Sequence, residues 1–176
     1  MKHVIKFELD SASIDKAIYE LRAYRDDLSK KVELFVDALL TEGIRVASLR
    51  VASTQGDSKL PDVKYDIRPT GETTWAEISI NGSDVLFVEF GAGIAYNTGK
   101  EHPQAAEFGY GIGTYPSEHP PNKAINPGYW YYSEHDSVGK KVKTRSIGTE
   151  ATMPIYGAAE EMRNVVIKTA KNIFGS

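Results

Sequence analysis

The sequence predicts a single α+β domain in which a long N-terminal helix and a C-terminal helix pack on a mostly antiparallel sheet. Apolar residues recur at intervals of three and four over roughly residues 13–52 and again over 154–174, as on amphipathic helices. Short runs of strand-forming residues separated by turn residues lie between them. Residues 92–128 form a long loop rich in glycine and proline. At 176 residues the chain is long enough for one core, and no linker divides 1–176.

The N-terminal segment predicts a strand followed by a helix. Residues 4–9 alternate apolar and polar side chains, which is typical of a half-buried strand. The helical pattern of residues 13–52 follows this strand. Core packing explains its apolar stripe most simply, and the alternative is a long helix with a second side that faces a partner. Forty residues is long for one globular helix, so we expect a break near the charged residues 25–27.

The middle of the chain predicts an antiparallel meander. Residues 63–68 and 74–80 are rich in strand formers, and the Pro-Thr-Gly-Glu segment 69–72 between them is typical of a turn. Asn81-Gly82 marks a second turn. The apolar run 85–90 follows directly, and periodicity alone does not separate a strand from a short helix over so few residues.

That apolar run carries one acid, Glu89, within the most hydrophobic stretch of the sequence. Burying a lone carboxylate is costly, so it must be solvated, paired or shared with a partner. We expect either an ordinary core segment whose Glu89 points to water, or a central core element with Glu89 at an exposed or interface edge.

The segment 92–128 and the residues after it predict a loop, a ribbon and a helix. Aromatic residues such as Tyr110 and Tyr115 are spaced through the loop, which favours an arm that orders on a partner. Residues 129–147 predict a β-ribbon, with strands at 129–132 and 138–147. Its basic side chains are Lys140, Lys141, Lys143 and Arg145. Thr152 and Pro154 then suit the first turn of the last helix.

Composition excludes several classes of function. The chain has no cysteine, which rules out disulfides, thiolate catalysis and cysteine-ligated zinc. No apolar run approaches the ~20 residues of a membrane span, and the N-terminus lacks a signal-peptide pattern, so we expect a protein made or assembled in the cytoplasm without a membrane partner. The net charge of −3 makes no general case for nucleic-acid binding.

Charge is unevenly distributed along the chain. Residues 51–139 hold five basic and twelve acidic side chains, whereas residues 140–176 hold seven basic and three acidic ones. The acidic segment and the basic segment can complement each other within one subunit or between identical subunits. Alternatively, the uneven charge is a chance property of a solvated surface.

No motif predicts a catalytic site, a cofactor or a metal. The glycines of 109–113 are followed by prolines rather than a helix, unlike a phosphate-binding loop. His102, His119 and His135 each neighbour an acid, which leaves open a hydrolytic site, although exposed loop histidines explain the pattern more simply. The basic ribbon beside Trp130 can contact nucleic-acid phosphates and bases, or be a solvated hairpin.

Two segments resemble the head–tail joining and tail-completion morphogenesis proteins of long-tailed bacteriophages. Residues 87–91 read Phe-Val-Glu-Phe-Gly, which is similar to that family's Tyr/Phe-Val-Glu-Phe-Gly box. Residues 148–154 read Gly-Thr-Glu-Ala-Thr-Met-Pro and, with 155–159, resemble the family's Gly-x-x-Ala-x-Pro-Phe-Met start of the last helix. In this chain Ile and Tyr replace the Phe-Met pair. The long helix also ends in Ser-Thr-Gln-Gly at 53–56, where many members carry Pro-x-x-Thr-Gly-x-Leu.

The resemblance implies a structural subunit without catalytic residues or cofactors. It implies a homo-oligomeric, hexameric ring in the virion, assembled in the bacterial cytoplasm at the head-proximal end of the tail or in the neck. Its partners would be the tail-tube protein and a head-closure protein, with DNA passing through without sequence-specific binding. Alternatives are a head-closure (neck) adaptor, a small phage-encoded hydrolase and a nucleic-acid-binding module. We expect the subunit or partner interface to include Phe87, Glu89, Phe90, Tyr110, Tyr115, Lys140, Lys141, Lys143 and Arg145.

Overall fold

The computed structural model describes residues 5–6, 8–56, 58–70, 73–93, 101–112, 130–135 and 137–175. The elements in chain order are α1 Ser11–Ala52, β1 Asp62–Thr70, β2 Thr73–Asn81, α2 Val85–Phe90, β3 Ala92–Gly93, β4 Gly111–Ile112, β5 Trp130–His135, β6 Lys141–Ser146 and α3 Pro154–Phe174. The predicted α+β class, with a long first helix and a C-terminal helix, is confirmed. Most of the predicted Gly/Pro-rich loop 92–128 lies outside the described residues.

Helix α1 is continuous over 42 residues, so the predicted break near 25–27 is wrong. The charged side chains there are exposed and form ion pairs on the helix surface, Arg25 with Asp26 at 2.9 Å and Lys31 with Asp27 at 3.1 Å. Neither glycine nor proline interrupts the backbone at that point, so the helical hydrogen bonds continue.

The start of α1 is fixed by a side-chain cap. Asp10 accepts a hydrogen bond from the Ser13 N–H at 3.0 Å, and the Glu8 N–H donates to the Ser13 hydroxyl at 2.8 Å. The strand predicted over 4–9 is wrong for residues 5, 6, 8 and 9, which are not in a strand. The rest of that prediction lies outside the described residues.

Helix α3 packs antiparallel against the second half of α1. At its start, the Arg50 guanidinium donates to the Thr152 carbonyl at 3.0 Å. At its end, the Phe174 ring lies 5.7 Å from the Phe35 ring. The part of α1 before Phe35 therefore extends beyond the end of α3.

The two helices and strand β2 meet at Gly43. A Cβ at this position would lie 2.5 Å from Ile78 Cδ1 and 2.9 Å from Met162 Sδ, so the ends of both side chains would have to shift to admit it. Glycine is normally unfavourable inside a helix, so its place here is explained by packing. The site marks the core, where α1 lies between α3 and the β1–β2 hairpin.

The strands of the described residues form three two-stranded pieces. Strands β1 and β2 pair antiparallel from Asp62 opposite Asn81 to Thr70 opposite Thr73, which confirms the two strands predicted at 63–68 and 74–80. Strands β5 and β6 also pair antiparallel, while β3 and β4 form a short parallel pair. Within the described ranges, no helix has both the length and the apolar character needed to cross a membrane.

Candidate functional site

The apolar run at residues 85–90, which contributes Glu89 to the candidate site, is the short helix α2. In α2 the Phe87 and Val88 N–H groups donate to the Asp84 carbonyl at 3.0 and 3.1 Å. Gly91 ends the helix with φ 76°, a conformation that favours glycine, and a Cβ there would lie 3.0 Å from the Ala151 side chain. The turn at Gly91 thus brings the end of α2 against the segment that precedes α3.

Glu89 is buried within this junction, with only 7% of its surface exposed. Its two carboxylate oxygens accept hydrogen bonds from the backbone N–H groups of Ile155 and Tyr156, both at 2.9 Å. Those N–H groups belong to the first turn of α3, where they have no partner inside the helix and where the helix dipole favours a negative charge. Glu89 therefore caps α3 from a distant part of the chain.

The expectation that Glu89 points to water or lies at an exposed edge is wrong. Burial of its carboxylate is offset by two charge-assisted hydrogen bonds and the positive end of a 21-residue helix. Helix α3 needs such a cap because its own N-cap residue, Met153, has φ 53° and makes no side-chain capping bond, and its first turn contains no acid. Both carboxylate oxygens are engaged inside the chain, and the predicted role of Glu89 in a subunit interface stays a prediction.

His102 extends the network on the other side of Glu89. It is 4% exposed, and its Nδ1 accepts a hydrogen bond from the Gln104 N–H at 3.0 Å. Because Nδ1 is an acceptor, the ring proton belongs on Nε2, which lies 3.5 Å from the Glu89 carboxylate. The ring packs edge-on against Phe90 and Tyr156, with centroids 4.5 and 5.0 Å away.

The structure describes two of the three histidines considered as catalytic candidates. His102 is not the exposed loop histidine that the sequence predicted, and both of its nitrogens face partners within the fold. His135 is exposed at the end of β5, and His119 lies outside the described residues. Among the described positions, no group of three or more acidic or histidine side chains is arranged to hold a metal ion.

Three of the predicted interface residues come together around α2. The Phe90 ring stacks on Tyr110 with centroids 5.6 Å apart, and Phe87 meets Tyr110 edge-on at 5.9 Å. Phe108 packs on Phe90 at 5.2 Å and remains 54% exposed. These rings tie the 101–112 segment to α2, and Tyr115, predicted with them, lies outside the described residues.

Backbone hydrogen bonds join the same two parts of the chain. Ala92 and Thr149 exchange N–H···O bonds at 3.0 Å in both directions, and the Thr152 N–H donates to the Val88 carbonyl at 3.0 Å. A Cβ on Gly148, which has φ 115°, would overlap the Ala92 carbonyl oxygen. The segments 87–91 and 148–159 therefore form one structural unit, which a linear reading of the sequence did not reveal.

The other predicted interface residues lie on the β5–β6 ribbon. Lys141, Lys143 and Arg145 alternate along β6 and are exposed, so they share one face, and exposed Lys140 directly precedes the strand. Their cross-strand neighbours on that face are His135, Ser133 and Tyr131. The Lys143 Nζ lies 4.8 Å from the centre of the Tyr131 ring, a cation–π contact. This basic, partly aromatic face suits an acidic protein surface or a phosphate backbone.

Comparison with protein-family models, with curated proteins and with solved structures gave no match to this chain.

Proposed function

We propose that this chain is a structural virion protein, the subunit of a tail-completion ring that joins a bacteriophage tail tube to the head–neck region. One observation carries the proposal. The two segments that resemble the tail-joining family, 87–91 and 148–159, contact each other directly through the bonds from Glu89 to the start of α3. The likeness of both segments to the family's motifs, in segments that form one buried unit, is what supports the proposal.

The exposed surface of the chain suits a subunit that assembles with neighbours. In the described part of the chain, β1–β2 and β5–β6 are separate two-stranded pieces. Small sheets of this kind are commonly extended by strands from neighbouring copies. The basic face of the β5–β6 ribbon and the acidic middle of the sequence supply opposite charges for contacts between copies. In this proposal the copies form a hexameric ring with no catalytic role, through which DNA passes without sequence-specific contacts.

A head-closure adaptor in the neck is the alternative within the same class. The two assignments differ in the partner: the terminator binds the end of the tail tube, while the adaptor binds the head side first. Both place the protein in the virion after assembly in the host cytoplasm.

The proposal is tested by mixing gold-labelled protein with purified tail tubes of a long-tailed phage and, separately, with DNA-filled heads. We expect label at one end of each tube in electron micrographs. Label on heads alone would favour the neck adaptor. Label along the whole tube would contradict the tail-completion role. The role would also be contradicted if neither particle were labelled and the protein bound free DNA with a steep salt dependence.

A further inference from the structure

The β5–β6 ribbon presents one face on which every charged side chain is a cation. The side chains of this face alternate along both strands and lie opposite one another in the register. They are Tyr131, Ser133, His135, Lys141, Lys143 and Arg145. All are exposed except Tyr131, which is half-buried, and none is acidic or aliphatic. On the other face Val142 is half-buried and Ser146 is buried, so the basic face is the outward one.

The composition of the basic face suits a phosphate backbone better than a protein surface. Protein–protein interfaces have an apolar core and are depleted in lysine and serine. Lysine, arginine, serine and tyrosine are side chains that contact phosphate oxygens in protein–DNA complexes. The three cations of β6 span about 13 Å, and the charges of one DNA strand recur about every 3.4 Å along the helix axis. The face can therefore contact several phosphates of one strand at once.

The Tyr131 ring favours contact with a duplex over contact with a single strand. The Lys143 Nζ lies 4.8 Å from the centre of this ring, so the ammonium occupies one face of the aromatic system. Proteins that bind single strands offer open aromatic faces on which bases stack. In a duplex the bases already stack on each other, and the ribbon needs to meet only the backbone.

The basic face is a local feature of a chain whose net charge is −3. Attraction to DNA must therefore come from this surface and not from the overall charge. Identical copies in a ring repeat the face around one duplex, so contacts that are weak for one copy add together.

We propose that the basic face of the β5–β6 ribbon binds the phosphate backbone of duplex DNA through Lys141, Lys143 and Arg145, independently of base sequence. The inference rests on the proposed ring and names the surface that meets the DNA passing through it. It is compatible with a contact between copies, because a lysine ammonium has three N–H donors. A ribbon that lies along a neighbouring copy can therefore still reach a phosphate.

The salt dependence of DNA binding tests the contact. Fluorescence anisotropy with two labelled duplexes of unrelated sequence gives the affinity at each salt concentration, and both duplexes should bind equally. With one phosphate per cation, the wild-type affinity should fall about 40-fold between about 50 and 200 mM salt for each copy engaged. The variant carrying Lys141→Gln and Lys143→Gln keeps one cation on this face, and its affinity should fall only about 3.5-fold over the same range.

A matched variant separates this face from overall charge. Lys168→Gln with Lys171→Gln removes the same charge from exposed positions on α3 and should bind DNA like the wild type. Sedimentation velocity identifies a protein concentration at which all three proteins have the same assembly state, so that equal numbers of copies are compared. The inference is overturned by a wild type that binds no duplex at low salt, by an unchanged salt dependence in the ribbon variant, or by a strong preference for one duplex.

Lysine acetylation read by mass spectrometry tests the same contact without substitutions. Duplex DNA should slow the acetylation of Lys141 and Lys143 and leave Lys168 and Lys171 unaffected. If assembly alone protects the ribbon lysines and DNA adds nothing, the face belongs to a neighbouring copy. That result overturns the DNA contact and leaves the tail-completion proposal standing. Protection by DNA in a protein that labels neither tail tubes nor heads would support the DNA contact and remove the tail-completion role.

Discussion

Replacing Glu89 with glutamine keeps the shape of the side chain and removes the charge at the start of α3. The glutamine carbonyl can accept from one of the two N–H groups of Ile155 and Tyr156, but its amide nitrogen faces the other and leaves that donor unpaired. Losing one hydrogen bond to a charged group costs about 1.5–3 kcal/mol, and losing the charge at the helix N-terminus costs about 0.3–2 kcal/mol. We expect Glu89→Gln to lower the free energy of unfolding by about 2–4 kcal/mol.

Urea denaturation followed by far-ultraviolet circular dichroism measures this change, at one fixed protein concentration because assembly also contributes to stability. Hydrogen exchange should show faster opening at the amides of Ile155 and Tyr156. Glu160→Gln, an exposed position on the same helix, is the matched control and should change stability by less than about 0.5 kcal/mol. The reasoning is refuted if Glu89→Gln behaves like this control and the two amides keep their protection.

Three further substitutions test the packing and the ribbon. Gly43→Ala should lower the free energy of unfolding by about 0–2 kcal/mol in urea denaturation, because crowding of Ile78 and Met162 costs about 1–3 kcal/mol and the better helix propensity of alanine offsets about 1 kcal/mol of that cost. A gain in stability would contradict the packing. Arg50→Met keeps an aliphatic side chain of similar length and loses the hydrogen bond to the Thr152 carbonyl, which precedes α3. The free energy of unfolding, measured by urea denaturation, should fall by about 1–2 kcal/mol. An unchanged urea midpoint would mean that the bond contributes nothing. Lys141→Glu with Lys143→Glu should weaken ring assembly at low salt and have less effect at high salt, as measured by light scattering; equal assembly at low salt would remove the ribbon from the interface.

The parts of the fold that the sequence predicted are those set by local periodicity. Helices α1 and α3 and the β1–β2 hairpin follow from patterns read within a few residues, and all three are present at nearly the predicted bounds. The predicted break in α1 was wrong because surface ion pairs such as Lys31 with Asp27 accommodate charge clusters without a change in the backbone. Charge density alone is a weak helix-breaking signal.

The candidate site was less predictable because its contacts are long-range. Glu89 was identified as unusual from its apolar surroundings, but its partners Ile155 and Tyr156 are backbone groups 66 and 67 residues away, which carry no side-chain signature. The sequence offered a local cap in Thr152, whereas the structure places Met153 at the N-cap without a side-chain capping bond, so the need for Glu89 is visible only in the fold. His102 was similarly misjudged, because burial of a loop histidine depends on the rings of Phe90 and Tyr156 that pack against it.

The solution mass of the purified protein, measured by light scattering across concentration and salt with electron micrographs of any large species, tests the central claim most directly. The ring proposal predicts a closed species with six times the 19.4 kDa mass of the chain, visible as rings of uniform diameter. A mass equal to one chain at every concentration and salt, with no rings when tail tubes are added, would contradict it.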